Sequence, residues 1–143
     1  MESRQWLPRP IEEVFTFFAD AGNLARLTPP SMGFRVLTPT PIELRVGTLS
    51  DYRLRVAGVP IRWRARINVW EPPHRFVDEQ LRGPYRFWLH EHTFESKDGG
   101  TLIGDRVEYA PIGGSLAEKL FVGRTVRRIF EDRRFRLETV FGV

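Results

Sequence analysis

The stretch from Ser115 to Phe141 contains no proline, and its apolar residues recur at three- and four-residue steps: Leu116, Leu120, Val126, Ile129, Phe130, Leu137, Val140 and Phe141. That spacing puts them on one face of a helix. Lys119, Arg124, Arg127, Arg128, Glu131, Asp132, Arg134 and Arg136 fill the remainder and keep that side in water. Pro111-Ile112-Gly113-Gly114 breaks the chain just before it. Ser115, with Glu118 three residues on, has the form of a capping box. Such a helix runs to roughly 40 Å at about 1.5 Å per residue. One long apolar stripe needs an equally long apolar partner, and the rest of the chain reads as a sheet able to supply it.

A chain of 143 residues fits one domain, residues 1–143, with a sizeable core. Eleven Phe and four Trp suit either a large core or an apolar pocket. The absence of cysteine excludes disulfides and thiol chemistry, and a reducing compartment is compatible with it. Met1-Glu2-Ser3-Arg4 leads into a strand-like run rather than an apolar signal region. No apolar run approaches the roughly 20 residues of a membrane span. A cytoplasmic location is the expectation. The net charge of +4 is too modest to point to nucleic acid.

In chain order, Ser3 to Leu7 reads as a strand ended by Pro8. Pro10 suits the first turn of a helix. Ile11, Val14, Phe15 and Phe18 then give a helical stripe, with Glu12 and Glu13 near its positive end. Leu24 to Leu27 is a second short helix, stopped before Pro29-Pro30. Strands follow at Phe34 to Leu37 and at Thr48 to Val56, where Tyr52, Leu54 and Val56 share a face opposite Asp51, Arg53 and Arg55. Gly58-Val59-Pro60 is read as a turn. Ile61 to Trp70 alternates most clearly: Ile61, Trp63, Ala65, Ile67 and Val69 face one way, Arg62, Arg64, Arg66 and Asn68 the other. Arg75 to Arg82 and Arg86 to Lys97 form a hairpin around Gly83-Pro84. Thr101 to Ala110 is the last strand. The fold class is α+β: a curved antiparallel sheet of seven strands around a long C-terminal helix, with two short helices after the first strand. Such a sheet leaves a gap beside its helix, and an apolar gap with a few polar groups is the usual form of a small-molecule site.

These residues resemble a family over essentially the whole chain. The carrying stretches are Pro10 to Asp20 with Asn23-Leu24 and Leu27-Thr28-Pro29-Pro30, then Trp70-Glu71-Pro72-Pro73, Phe76-Val77-Asp78 and Gly83-Pro84-Tyr85. Trp88, His90, His92 and Phe94 follow, then Asp105, Val107 and Tyr109-Ala110-Pro111, and finally Leu120-Phe121-Val122. Together they resemble the helix-grip START and Bet v 1-like (SRPBCC) superfamily, and look like a bacterial stand-alone member near its polyketide cyclase and coenzyme-Q-binding branch. The resemblance implies a hydrophobic ligand between sheet and helix. Members include lipid and sterol carriers, quinone-binding proteins, polyketide cyclases and hormone receptors.

The candidate ligand-contacting residues are Tyr52, Leu54, Trp63, Ile67, Trp88 and Phe94 from the sheet and Leu120 and Phe130 from the helix. A polar set joins them: His90, His92, Asp105 and Tyr109. His90 and His92 are two apart on one strand and share a face. A two-residue loop at Gly99-Gly100 puts Asp105 opposite Phe94, Val107 opposite His92 and Tyr109 opposite His90. The loop at Gly83-Pro84-Tyr85 leaves the facing of Asp78 and Gln80 open by one residue. This set either hydrogen-bonds to itself, orients a ligand, or acts as an acid–base pair. His-x-His can chelate, but a metal needs a third ligand and an open position, so no metal and no cofactor is expected. No Gly-rich phosphate loop, nucleophile elbow or cysteine nucleophile is present, and no catalytic residue is assigned.

Arg53, Arg55, Arg62, Arg64 and Arg66 read as a solvated convex face or as a surface for an anionic partner. Arg124, Arg127, Arg128, Arg133, Arg134 and Arg136 carry the same two readings. Gly123 within the helix is either a surface tolerance or room for a ligand or a close strand. The expectation is binding or carriage of a lipid, quinone, isoprenoid or polyketide-like molecule. A cyclase, aromatase or dehydratase working through His90, His92, Asp105 and Tyr109 is the alternative, and an interaction module on the arginine faces a second one. No nucleic-acid partner is expected; transient membrane contact and oligomeric state stay open.

Overall fold

A computed structural model describes residues 1–56, 58–112 and 116–143, with the side chains of residues 117–121 outside the description. The Ser115 cap, its Glu118 partner and the candidate ligand contact Leu120 therefore lie outside the described residues. Seven antiparallel strands form one sheet: β1 (Glu2–Leu7), β2 (Arg35–Val36), β3 (Leu49–Val56), β4 (Val59–Glu71), β5 (Arg75–Arg82), β6 (Tyr85–Lys97) and β7 (Gly100–Pro111). Their order is β1-β7-β6-β5-β4-β3-β2. β2 to β7 is a meander, and β1 returns to pair with the last strand, Glu2 opposite Arg106 and Leu7 opposite Thr101. Helices α1 (Ile11–Ala19) and α2 (Leu24–Leu27) follow β1, and α3 (Leu116–Phe141) closes the fold. None of the described helices is long and apolar enough to cross a membrane.

α3 buries Val126, Phe130, Leu137 and Phe141 as the periodicity predicts. Two positions differ. Leu116, read as part of the stripe, is 73% exposed. Arg133, read among the surface arginines, is only 7% exposed. It stands three residues after Phe130 and four before Leu137, so helical geometry carries it inward whatever its charge.

Three local readings also shift. Gly58-Val59-Pro60 is not a turn throughout: Val59 already pairs with Val56, and Pro60 with Arg55. β4 carries an irregularity between Ile67 and Val69. Past it the alternation changes phase, and Trp70 rather than Val69 packs on the core, 5.3 Å from the Phe15 ring. The β6–β7 turn sits at Asp98-Gly99, both with positive φ (51° and 76°), and Lys97 pairs with Gly100. A two-residue hairpin turn of that kind takes its left-handed residues at both centres, and Asp-Gly supplies them. Gly100 is freed to pass so close to the Leu7 carbonyl and the Trp6 ring that a Cβ would collide with them. The register is thus displaced by two residues from the expectation: His92 faces Asp105, His90 faces Val107 and Trp88 faces Tyr109. An even displacement preserves facing, so the polar set stays on the concave side.

Candidate functional site: a cavity with a polar wall

Between the sheet and α3 lies a cavity of about 520 Å³. That is within the roughly 300–1,000 Å³ of small-molecule sites. Tyr52, Leu54, Trp63, Ile67, Trp88, His90, His92 and Phe130 all line it, together with residues of α2 and of the helical turn Pro30–Met32. Phe94 and Asp105 stand behind this lining. Phe94 packs edge-on against Phe15 and Phe18. Tyr109 is directed elsewhere: its ring lies beside Trp88, and its hydroxyl is 3.3 Å from where a Cβ on Gly123 would stand. Of the two readings of Gly123, close approach of a strand side chain is the one observed.

The polar wall is assembled across three strands. β6 presents His90 and His92 with stacked rings 3.6 Å apart, and His92 stacks on Phe76 at 4.0 Å. Each histidine meets a carboxylate from a neighbouring strand, diagonal to it in the register. His90 Nε2 lies 2.7 Å from Asp105 Oδ1 of β7, and His92 Nε2 lies 2.6 Å from Asp78 Oδ2 of β5. β5 thus turns Asp78 inward, which settles the facing that the Gly83-Pro84 loop left open. Gln80 closes that loop instead, bonding both the amide and the carbonyl of Tyr85. Opposite the histidines, α3 contributes Arg133, with its guanidinium carbon 5.2 Å from the Phe18 ring centre and 5.4 Å from that of Phe130. Its Nη2 is 3.6 Å from Asp105 Oδ1.

The ionisation follows from burial and neighbours. Loss of water pushes the His92 imidazole down to about 4; the proximity of His90 adds to this and the Asp78 hydrogen bond opposes it. Burial drives Asp105 upward, but Arg133 and the His90 hydrogen bond more than offset it, so the carboxyl is held well below its ordinary range. Asp78 is likewise lowered: desolvation is outweighed by the His92 hydrogen bond and the surrounding charges. At neutral pH the wall holds two carboxylates, a neutral His92 and a guanidinium. Burial raises Tyr52 and Tyr85 to about 12, so both phenols stay protonated.

Asp78, His90 and His92 each offer a ligand atom within 4.8 Å of the others. A cation there would have to displace the protons that join both Nε2 atoms to carboxylates, and it would face the Arg133 charge. The donor set as arranged does not fit one. On the convex side the exposed arginines are partly neutralised: Arg64 pairs with Asp51 at 2.8 Å and Arg66 with Glu79 at 3.1 Å.

Of the polar wall, sequence reading placed Arg133 among the surface arginines and left the facing of Asp78 open. A signal existed for Arg133, which falls on the inward step between Phe130 and Leu137. For Asp78 the sequence held none, since the loop length decides its facing.

A curved seven-stranded antiparallel sheet gripping a long terminal helix over an apolar cavity defines the class: this is the helix-grip, Bet v 1-like fold of the SRPBCC proteins. Within it, the chain belongs to the polyketide cyclase/dehydrase and lipid transport family, whose model matches residues 7–138. Similar solved structures include protein Ms6760 from Mycobacterium smegmatis, 19% identical over 99% of this chain and 89% of that one, with a TM-score of 0.75. Ara h 8.0201 is 16% identical over 96% and 97% of the two chains, with a TM-score of 0.65. Ginseng major latex-like protein 151 from Panax ginseng is 10% identical over 99% and 95%, with a TM-score of 0.68. At these identities the likeness is one of fold. No curated protein matches the chain at a significant level.

Proposed function

We propose that the chain, as one domain, binds or carries a hydrophobic small molecule in the cavity between the sheet and α3. The observation that carries this reading is the cavity itself: about 520 Å³ walled mainly by aromatic and aliphatic side chains, with the His90, His92, Asp78 and Arg133 cluster set into that wall. The family's description, polyketide cyclase/dehydrase and lipid transport, supports a hydrophobic ligand in general. Lipids, quinones, isoprenoids and polyketide-like molecules all suit such a cavity. Native mass spectrometry of the purified protein is the direct test. A co-purifying apolar adduct, displaced by an apolar dye, is the expected result. A protein that retains no adduct and takes up no apolar dye would refute the reading.

The two stacked histidine–carboxylate pairs favour a second reading, an enzyme of the cyclase or dehydratase kind. A neutral histidine aligned by a carboxylate is a general base in form. In that case Asp78 replaces Tyr109 in the set first considered. His90→Phe or His92→Phe should then lower turnover about 10²–10⁴-fold with affinity nearly unchanged. A carrier should lose affinity and form no product.

A further inference from the structure

Resting on the binding reading above, we infer that the cavity's ligand presents a neutral hydroxyl, phenol or enol group to Arg133 and His92. A carboxylate is the wrong head for this wall.

Arg133 is buried on the cavity-lining face of α3, yet its Nε and Nη2 have no hydrogen-bond partner among the described residues. At 3.6 Å, Nη2 is in ion-pair range of Asp105 but beyond a hydrogen bond. Buried guanidinium donors are rarely left unused, because their desolvation then goes uncompensated. His92 Nδ1 is the third such atom. Its character follows from the other side of the ring. Nε2 lies 2.6 Å from Asp78 Oδ2, and a carboxylate only accepts, so Nε2 carries the proton. Nδ1 is therefore a lone pair. It faces Asp105 Oδ1 at 3.6 Å, one acceptor opposite another. The low pKa of His92 keeps that lone pair free at neutral pH.

The wall thus offers unused donors and an unused acceptor around one carboxylate oxygen. An O–H group answers both: its oxygen accepts from Arg133 and its hydrogen goes to His92 Nδ1. A ketone meets only the donors. An ammonium meets only the acceptor. A carboxylate meets the His92 lone pair and two further carboxylates, Asp78 and Asp105, against one guanidinium. Nε, Nη2 and Nδ1 are shielded by their surroundings, so engagement requires Arg133 to swing away from Asp105 and uncover the Nδ1 edge of His92.

The test uses probes with one apolar body and different heads: 2-naphthol, 2-naphthoate, 2-acetonaphthone and 2-methylnaphthalene. Each displaces an apolar dye from the full chain at neutral pH. Naphthol should bind about tenfold more tightly than methylnaphthalene, the effect of one or two net hydrogen bonds, and more tightly than naphthoate or the ketone. In Arg133→Met and in His92→Phe the ratio of naphthol to methylnaphthalene affinity should fall to about one, whatever either change does to apolar binding as such. His92→Phe serves alone if the Met variant does not fold, and a naphthol preference that survives it likewise overturns the inference. Equal affinity across the series, a preference for naphthoate or ketone, or a naphthol preference that survives Arg133→Met each overturn the inference and leave apolar binding standing. Failure of every probe and of the dye removes the binding reading itself, and the inference with it.

Discussion

One sheet and one helix make two different interiors. Near α1, Phe15 and Phe18 drop onto Phe94, and Phe15 also meets Phe76 and Trp70, with ring centres 5.2–6.1 Å apart; Leu7, Val14, Ile103 and Leu137 complete a filled core. Farther along the groove, toward β3, Tyr52, Leu54 and Trp63 look across the cavity at Ile129 and Phe130. The strands and helix are continuous through both regions, and what differs is the plug. α1 supplies one where it crosses; over β3 the Phe34 ring packs on Tyr52, 5.1 Å away, and the groove beside it stays open. The polar wall stands at the boundary, with His92 stacked on Phe76 of the filled region and His90 meeting Phe130 of the open one. Close aromatic packing and open volume therefore lie in different parts of one groove.

The largest effect expected from that contrast is on packing. Phe15→Ala empties the filled region and should cost about 3–5 kcal/mol, whereas Leu54→Ala on the cavity wall should fall below the 2–5 kcal/mol usual for a buried leucine, because its outer contacts are already missing. Denaturant midpoints of the two variants check this, and equal losses would mean that the groove is uniformly packed.

Next in size is an acid response centred on the boundary. His92 in the folded chain titrates near 4, below its ordinary 6.5. The unfolded chain then binds more protons between these values, so stability should decrease as pH falls through that window. The loss should approach about 3 kcal/mol. Asp105 and Asp78, lowered in the fold from the ordinary 3.8, add a further loss below that value. Asp78, His90, Asp105 and Arg133 are the charged or titratable groups facing His92 from β5, β6, β7 and α3. Melting temperatures that stay flat from pH 7 to 4.5 would contradict the acid response. His92→Phe should remove the upper part of the slope.

The smallest effect is at Gly123. Alanine there gains about 1 kcal/mol of helix propensity but must displace the Tyr109 hydroxyl, so Gly123→Ala alone should change stability little. In a Tyr109→Phe background the full gain should emerge, and a double-mutant cycle measures the coupling. Additive values would place no contact between that strand and the helix.

The apolar lining of the groove was far more legible in the sequence than the polar wall. Period-two and helical spacings over Tyr52 to Ile67 and Val126 to Phe141 are set by burial, and burial leaves its mark on residue type. The wall depends on quantities that composition does not encode. Asp98-Gly99 rather than Gly99-Gly100 closes the hairpin, and this moves Asp105 from Phe94 to His92. The phase change in β4 exchanges Trp70 for Val69. Arg133 was obscured by its type: a buried arginine interrupts an apolar stripe, and its neighbours Arg134 and Arg136 do belong to the surface side. Reading the stripe by angle alone would have placed it inside.

The pairing of β1 with β7 bears on how the chain reaches this state. Met1 and Val107 exchange backbone hydrogen bonds in both directions, and Gln5 Nε2 and Arg9 Nη2 reach the carbonyls of Arg134 and Phe141. Every one of these contacts spans roughly a hundred residues or more. The meander from β2 to β7 can assemble hairpin by hairpin, but β7 keeps an open edge until the first strand arrives across that long loop. Closing it costs entropy before the contacts return any free energy. Folding should therefore be slow for a chain of this size, in the millisecond-to-second range of non-local β topologies. The open β7 edge is the place where the nascent sheet is exposed to pairing with another molecule.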